Sequence, residues 1–278
     1  MDRIIPIKTI HLFPVLHDLL IDLLKSLEPA DWQKNTIAPL WTVKDIAAHL
    51  LDVNMRAIAT VNNYSGTPPQ NIKSYTDVVN YLNDLNNVWV KAMDRVSPQQ
   101  LIELMETSGR QHYQYLESLA PFAPAMFAVS WAGEEHSENW FHIAREYTEK
   151  WHHQQQIREA TGKPGIMHRE LFYPCMDTFM QAMPHTYRNT TAEEGTVIQI
   201  TISTPDGGTW YLYRQQTAWA VAKSIVDKQP DASISISPDT AWKLFTKGIK
   251  PDVAIQSAQI SGNETLAKVF FGTIAVMA

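Results

Sequence analysis

The sequence predicts an α plus α+β protein: a helical N-terminal part, 1–164, followed by a smaller mixed α/β part, 165–278. Three observations carry this. Helical periodicity with start and stop signals recurs from about residue 9 to about residue 160. After Pro164 the pattern changes, and Val197-Ile198-Gln199-Ile200-Thr201-Ile202 is rich in β-branched residues. The turn Pro205-Asp206-Gly207-Gly208 then leads into Trp210-Tyr211-Leu212-Tyr213, as in a hairpin. Helices first and strands second suggest two domains with a boundary near 163–167. A length of 278 residues suits two.

Each element has its own signal. Residues from about 9 to 28 carry an apolar stripe through Leu12, Val15, Leu19, Leu20, Leu23 and Leu27, and Pro29 ends it. Thr42 and Asp45 form a capping pair for a second helix, whose stripe runs Ile46, Leu50, Val53. Residues 64–74 are turn-rich, with Gly66, Pro68 and Pro69. A third helix follows from about Tyr75 to Arg95. Ser97-Pro98 starts a fourth, which reaches about Ala120 before Pro121 and Pro124 break it. The last helix of this half runs from about Glu138 to Ala160, capped by Ser137 and stopped by Gly162-Lys163-Pro164. In the second half a helix covers about 169–183. Short strands fall near 218–224, 232–236 and 257–260, and helices start at Ser237-Pro238 and near Glu264.

Composition excludes several classes. Hydrophobic residues make up 45% and charged residues 19%, with a formal net charge of −6. That is ordinary globular composition, and no Lys/Arg cluster offers a footprint for nucleic acid. No run of about eighteen uncharged apolar residues exists, so no membrane span is expected. The N-terminal apolar stretch is interrupted by Pro6, Lys8, His11, Pro14, His17 and Asp18, unlike a secretion signal. The single cysteine, Cys175, rules out an intramolecular disulfide and reads as a small buried apolar residue, with a nucleophile or extra ligand as the alternative. The expectation is a cytoplasmic protein.

Chemistry-bearing residues concentrate in two helices. His49 sits on the inward face of the second, where it suits a core histidine as well as a ligand. Glu149 and His153 lie four apart in the last helix, so their side chains share a face. Carboxylate and imidazole together are ordinary ligands for zinc and similar divalent ions. The same spacing also makes a surface ion pair, and it recurs at Glu138 and His142. His152, three residues from Glu149, competes as ligand. The apolar stripe of this helix, Trp140, Ala144, Tyr147 and Trp151, points away from Glu149 and His153. A wet cleft and plain solvent exposure both account for that. Arg56, seven residues after His49, can grip a carboxylate in bidentate fashion or pair with a nearby acid. Trp131, Trp140 and Trp151 suit a pocket lining or plain packing. No phosphate-cradling glycine loop and no G-x-S-x-G elbow is present.

At these residues the chain resembles a known family. Trp41-Thr42-Val43-Lys44-Asp45-Ile46-Ala47-Ala48-His49 looks like the second helix of the mycothiol-dependent maleylpyruvate isomerase N-terminal domain, one of the DinB-like four-helix metal-binding bundles. Ala144 to Arg158 is similar to that family's closing helix. Ser235 to Gly248 and Ile260-Ser261-Gly262-Asn263 resemble the sterol-carrier-like α/β domain found downstream. Carried over residue by residue, the resemblance implies a divalent metal held by His49, Glu149 and His153. Aligning on Gln155-Gln156-Ile157-Arg158 favours His153 over His152. Zinc suits two histidines and a glutamate, and nickel or iron fit as well. The resemblance further implies a low-molecular-weight thiol cofactor, such as mycothiol, bacillithiol or glutathione. The implied activity is isomerisation of, or S-transfer to, an electrophilic small molecule. Arg56 and Arg145 are the candidates for contacting substrate. A metal-binding or stress-response module without catalysis, and a carrier of apolar ligands using the second domain, are the alternatives.

Overall fold

The computed structural model describes residues 3–64, 72–226 and 228–277. The turn expected around Gly66, Pro68 and Pro69 lies outside them. Ten α-helices and five strands are assigned among the described residues: α1 (Phe13–Lys25), α2 (Val43–Val61), α3 (Tyr75–Met93), α4 (Pro98–Ser118), α5 (Asn139–Thr161), α6 (Arg169–Phe179), α7 (Met183–Thr186), β1 (Val197–Ile202), β2 (Gly208–Arg214), β3 (Trp219–Ala222), β4 (Ala232–Ile236), α8 (Pro238–Phe245), α9 (Pro251–Gln256), β5 (Gln259–Gly262) and α10 (Glu264–Val269). Helices precede strands, as the sequence predicts. No described helix is long and apolar enough to cross a membrane.

Two compact units emerge, and they interleave in sequence. One comprises Thr9–Pro121, Glu149–Ile166 and Met277–Ala278; the other comprises Met1–Lys8, Phe122–Thr148 and Met167–Val276. A consecutive division at 164/165 therefore differs from this grouping. The physical reason is α5, whose residues up to Thr148 group with the sheet while those from Glu149 onward group with α1 to α4.

In the helical unit, α2 packs on α3 and α4, and α1 packs on α4. The core is built from Leu20, Leu24, Ile46, Leu50, Leu101 and Ile157, all 5% exposed or less. Each such side chain contributes about 1.5–3 kcal/mol on leaving water. The start of α2 is fixed locally. Thr42 Oγ1 accepts from the Asp45 backbone N–H, while Asp45 accepts from the Thr42 N–H at 2.8 Å, completing the predicted capping box. Ser97 and Gln100 do the same for α4, with Pro98 in the first turn. Trp89 Nε1 donates to the Ala48 carbonyl at 2.8 Å, tying α3 to the stretch of α2 that carries His49. Arg158 donates to the carbonyls of Leu19, Lys163 and Pro164, anchoring the end of α5.

Two local expectations shift. The buried face of α1 runs through Phe13, Leu16, Leu20, Leu23 and Leu24, and Val15 is 44% exposed. A 3₁₀ turn at Ile10–Leu12 precedes α1 and changes the register read from a single continuous helix. Ser137 is spent elsewhere: its hydroxyl accepts from the Val129 N–H at 2.8 Å and donates to Glu134, and α5 begins at Asn139.

The other unit contains a five-stranded sheet of order β3-β2-β1-β4-β5. β1 runs antiparallel to β2 and parallel to β4, and the outer pairs are antiparallel. Alternation along β1 sends Ile198, Ile200 and Ile202 inward, each 1% exposed or less. The β1–β2 turn needs a glycine at 207, because a Cβ there would lie 2.1 Å from the Ile202 carbonyl oxygen. Aromatic rings fill the interior. Phe179, Trp210, Trp242, Phe245 and Phe270 are fully buried, and Phe245 meets Phe179 and Phe270 edge-on at 5.8 Å. Cys175 is buried here too, in keeping with a small core residue.

Candidate metal centre

The site belongs wholly to the helical unit and draws on two helices. α2 carries His49 on its inward face, 6% exposed, between the core residues Ile46 and Leu50. α5 carries Glu149 and His153 one turn apart. The central stretch of α5 is buried on every side, from Trp151 to Arg158 without a break. That resolves the ambiguity left by the apolar stripe: the polar side of this helix faces the bundle interior rather than water. The His153 residue is 8% exposed and the Glu149 side chain 23%.

The three residues converge. One ligand atom from each of His49, Glu149 and His153 lies within 4.8 Å of the others. His153 Nε2 is 3.5 Å from Glu149 Oε2, and the His49 and His153 rings meet edge-on at 4.7 Å. Metal bonds of 2.0–2.2 Å in a tetrahedral arrangement separate ligand atoms by roughly 3.3–3.6 Å, so shifts of roughly an ångström close the cluster on a cation. Trp41 covers both imidazoles, with ring centroids 4.8 Å from His49 and 6.0 Å from His153.

Protonation suits ligation. Burial drives the His49 pKa well below the ordinary value, aided by the neighbouring His153 and by Arg56, so the ring is neutral at pH 7. Burial works against charge on Glu149, but the hydrogen bond from His153 and the imidazoles of His152, His153 and His49 prevail. They hold its carboxyl well below the usual range. His153 Nδ1 lies 2.8 Å from Gln156 Oε1, an oxygen that can only accept, and Nε2 is the ring nitrogen that faces Glu149. A neutral His49 imidazole and an ionised Glu149 carboxylate are the forms metal ligation requires. The buried Nδ1 of His49 has no hydrogen-bond partner, as befits a donor set meant to be completed by an ion. The residues present therefore fit a divalent cation.

The competing readings separate. Glu138, the second Glu–His spacing, pairs with Arg3 at 2.6 Å and accepts from Trp140 Nε1 at 2.8 Å. His142 instead adjoins Arg145 and Glu146, at 2.8 and 3.9 Å. His152 is buried beside His153, with ring centroids 3.9 Å apart, and is absent from the converging trio. Arg56 makes a 3.0 Å ion pair with Asp52 and a 3.3 Å hydrogen bond to Asn86, with 40% of its side chain exposed. Arg145 is bonded to Glu146 at 2.6 Å and groups with the sheet-bearing unit. Trp131 and Trp151 are core residues, and Trp140 stacks on Phe141 at 5.1 Å. Sequence reasoning missed Trp41 as a cover and Gln156 as the partner of His153. The i, i+3 spacing of His153 and Gln156 is the signal that could have found the second.

The model of the mycothiol maleylpyruvate isomerase N-terminal domain matches residues 13–158. A crystal structure of a point mutant of the mycothiol-dependent maleylpyruvate isomerase is similar at 11% identity, covering 91% of each chain with a TM-score of 0.53. Another crystal structure of that isomerase is similar at 12% identity, covering 84% of this chain and 86% of the other, with a TM-score of 0.50. These likenesses establish the fold. A ubiquinone synthesis protein of the UbiJ-SCP2 type reaches a TM-score of only 0.23 over 28% of this chain and 68% of its own, too little to support the sterol-carrier expectation. No curated protein matches. With more than half of its length matched by the family model, the chain belongs to the mycothiol maleylpyruvate isomerase N-terminal domain family.

Proposed function

We propose that this chain is a metal-dependent enzyme that works with a low-molecular-weight thiol, and that His49, Glu149 and His153 hold its divalent metal. The observation that carries this is the convergence of one ligand atom from each of two buried histidines and a partly buried glutamate, drawn from two helices, in a chain of a family named for a mycothiol-dependent isomerase. The reaction class is isomerisation of, or S-transfer to, an electron-poor small molecule. Zinc is the metal that best suits two imidazoles and one carboxylate.

A divalent cation bound there supplies Lewis acidity and favours the thiolate over the thiol. The chain's own residues do the rest. Gln156 fixes the His153 tautomer and presents Nε2. Trp41 shields the imidazole faces from water. Asp52 and Asn86 orient the Arg56 guanidinium, whose charge reaches His49. Arg56 is thereby suited to a substrate carboxylate, and Arg145, committed to Glu146 and His142, is the weaker candidate. The ring-on-ring filling of the sheet-bearing interior favours the enzyme reading over a carrier of apolar ligands.

The test is elemental analysis of protein purified without added metal, followed by assay of the loaded protein with mycothiol, bacillithiol and glutathione against electrophiles, maleylpyruvate included. Stoichiometric metal and turnover with one thiol are expected. Metal without turnover across the panel points instead to a non-catalytic metal-binding module.

A further inference from the structure

His49 belongs to α2, whereas Glu149 and His153 belong to α5. One turn of helix sets the spacing of the α5 pair. The distance from that pair to His49 depends on how α2 lies against α5. That separation is the variable on which closing the cluster around an ion turns.

The backbone on both sides of His49 is held from other helices. The Ala48 carbonyl accepts from Trp89 Nε1 of α3 at 2.8 Å. The Leu50 carbonyl accepts from Lys150 Nζ of α5 at 3.2 Å. A carbonyl oxygen has two lone pairs, so such bonds add to the helix ladder rather than replace it.

Lys150 directly follows Glu149, and Leu50 directly follows His49. The contact between them therefore joins the two helices at the level of the ligands themselves. Lys150 Nζ also donates to Asn54 Oδ1 at 2.5 Å, one turn further along α2. Asn54 Nδ2 in turn donates to Ser108 Oγ of α4 at 3.0 Å. Asn54 is 2% exposed and Ser108 1%. Away from water such bonds are electrostatically stronger and strengthen one another. The result is a polar brace running from α5 through α2 to α4.

We propose that Lys150 is a positioning residue for the metal centre. By bonding Leu50 and Asn54 it sets the separation of α2 from α5, and so holds His49 within ligating reach of Glu149 and His153. This rests on the reading of those three residues as metal ligands. A ligand set held in place before the ion arrives loses less freedom on binding, which raises affinity. Methionine at position 150 would keep an unbranched stem without a donor, whereas arginine would keep donors that can reach the same oxygens.

The test is cobalt(II) binding to the whole chain, with affinity read by chelator competition and ligand geometry by the visible absorption of the bound ion. Lys150→Met is expected to bind cobalt roughly 10–100-fold more weakly, with an altered spectrum. Lys150→Arg should recover most of the affinity and the spectrum of the unaltered chain. Helical circular dichroism is the control for folding. Asn54→Ala removes one of the two acceptors and should act in the same direction by a smaller factor; it takes the place of Lys150→Met if that variant does not fold. In metal-free crystals the three ligand atoms, within 4.8 Å of one another in the unaltered chain, should spread further apart in Lys150→Met. An unchanged cluster with an unchanged cobalt spectrum overturns the proposal, whatever the affinity, and leaves the ligand reading intact. Failure of the unaltered chain to bind cobalt overturns the ligand reading instead, and the metal-free crystals then decide on the brace.

Discussion

His153 Nδ1 and Gln156 Oε1 stand 2.8 Å apart, one turn along the same helix, both almost fully buried. This contact fixes which ring nitrogen faces Glu149. Outer hydrogen bonds of this kind typically change metal affinity 10–100-fold. Gln156→Leu is therefore expected to weaken metal binding by a factor in that range, read by competition with a chelator. Gln156→Glu, which keeps an acceptor, should retain most of the affinity. Equal losses in the two variants would show that packing, not the hydrogen bond, matters at this position.

Removing a ligand should act differently. His49→Ala, Glu149→Gln and His153→Ala are each expected to abolish stoichiometric metal on elemental analysis. Their helical circular dichroism should persist, since none of the three belongs to the apolar cluster of Leu20, Ile46, Leu50, Leu101 and Ile157 that holds the bundle. His152→Ala, beside the trio but outside it, should keep its metal. Loss of metal in His152→Ala with retention in His153→Ala would reverse the ligand assignment.

The metal should also stabilise the helical unit. A ligand at one hundred times its dissociation constant contributes about 2.7 kcal/mol. For domains of this size each kcal/mol moves Tm by about 2–4 °C, so chelation should lower the melting temperature by roughly 5–10 °C. Calorimetry with and without chelator measures this, and the shift should vanish in His49→Ala. A shift that survives in that variant would place the stabilising ion elsewhere.

Much of this architecture is legible in the chain because its determinants are local. Thr42 with Asp45 and Ser97 with Pro98 mark helix starts through contacts within one turn, and β1 declares itself by alternation. The miss at Val15 came from reading Ile10–Leu12 as α-helix when it forms a 3₁₀ turn. The miss at Ser137 came from a hydroxyl recruited by Val129, eight residues away. For the site, the Glu149–His153 spacing was visible but its environment was not. Periodicity identifies an apolar face, and α5 is buried on its polar face as well, which only neighbouring helices decide. The duplicate spacing at Glu138 and His142 was indistinguishable by number and separates only through Arg3. Lys150 gave no signal, since its reach to Leu50 and Asn54 of another helix exists only in three dimensions.

His142 offers a test of the other unit through pH. It is 6% exposed, and burial lowers its pKa from 6.5 to about 4, with Arg145 adding to the effect and Glu146 opposing it. Above pH 6.5 the ring is neutral folded and unfolded, so it adds no pH dependence. Between pH 6.5 and about 4 the unfolded chain takes up a proton that the folded chain refuses. Stability then falls as pH falls, by about 1.4 kcal/mol per unit at most. The loss totals about 3 kcal/mol and levels off below the folded-state value. His142→Asn, neutral throughout, should lack this component. Denaturant unfolding of both proteins from pH 7 down to pH 4 isolates it as the difference between two curves. Parallel curves would mean that His142 accepts its proton in the folded state, against Arg145 and without cost.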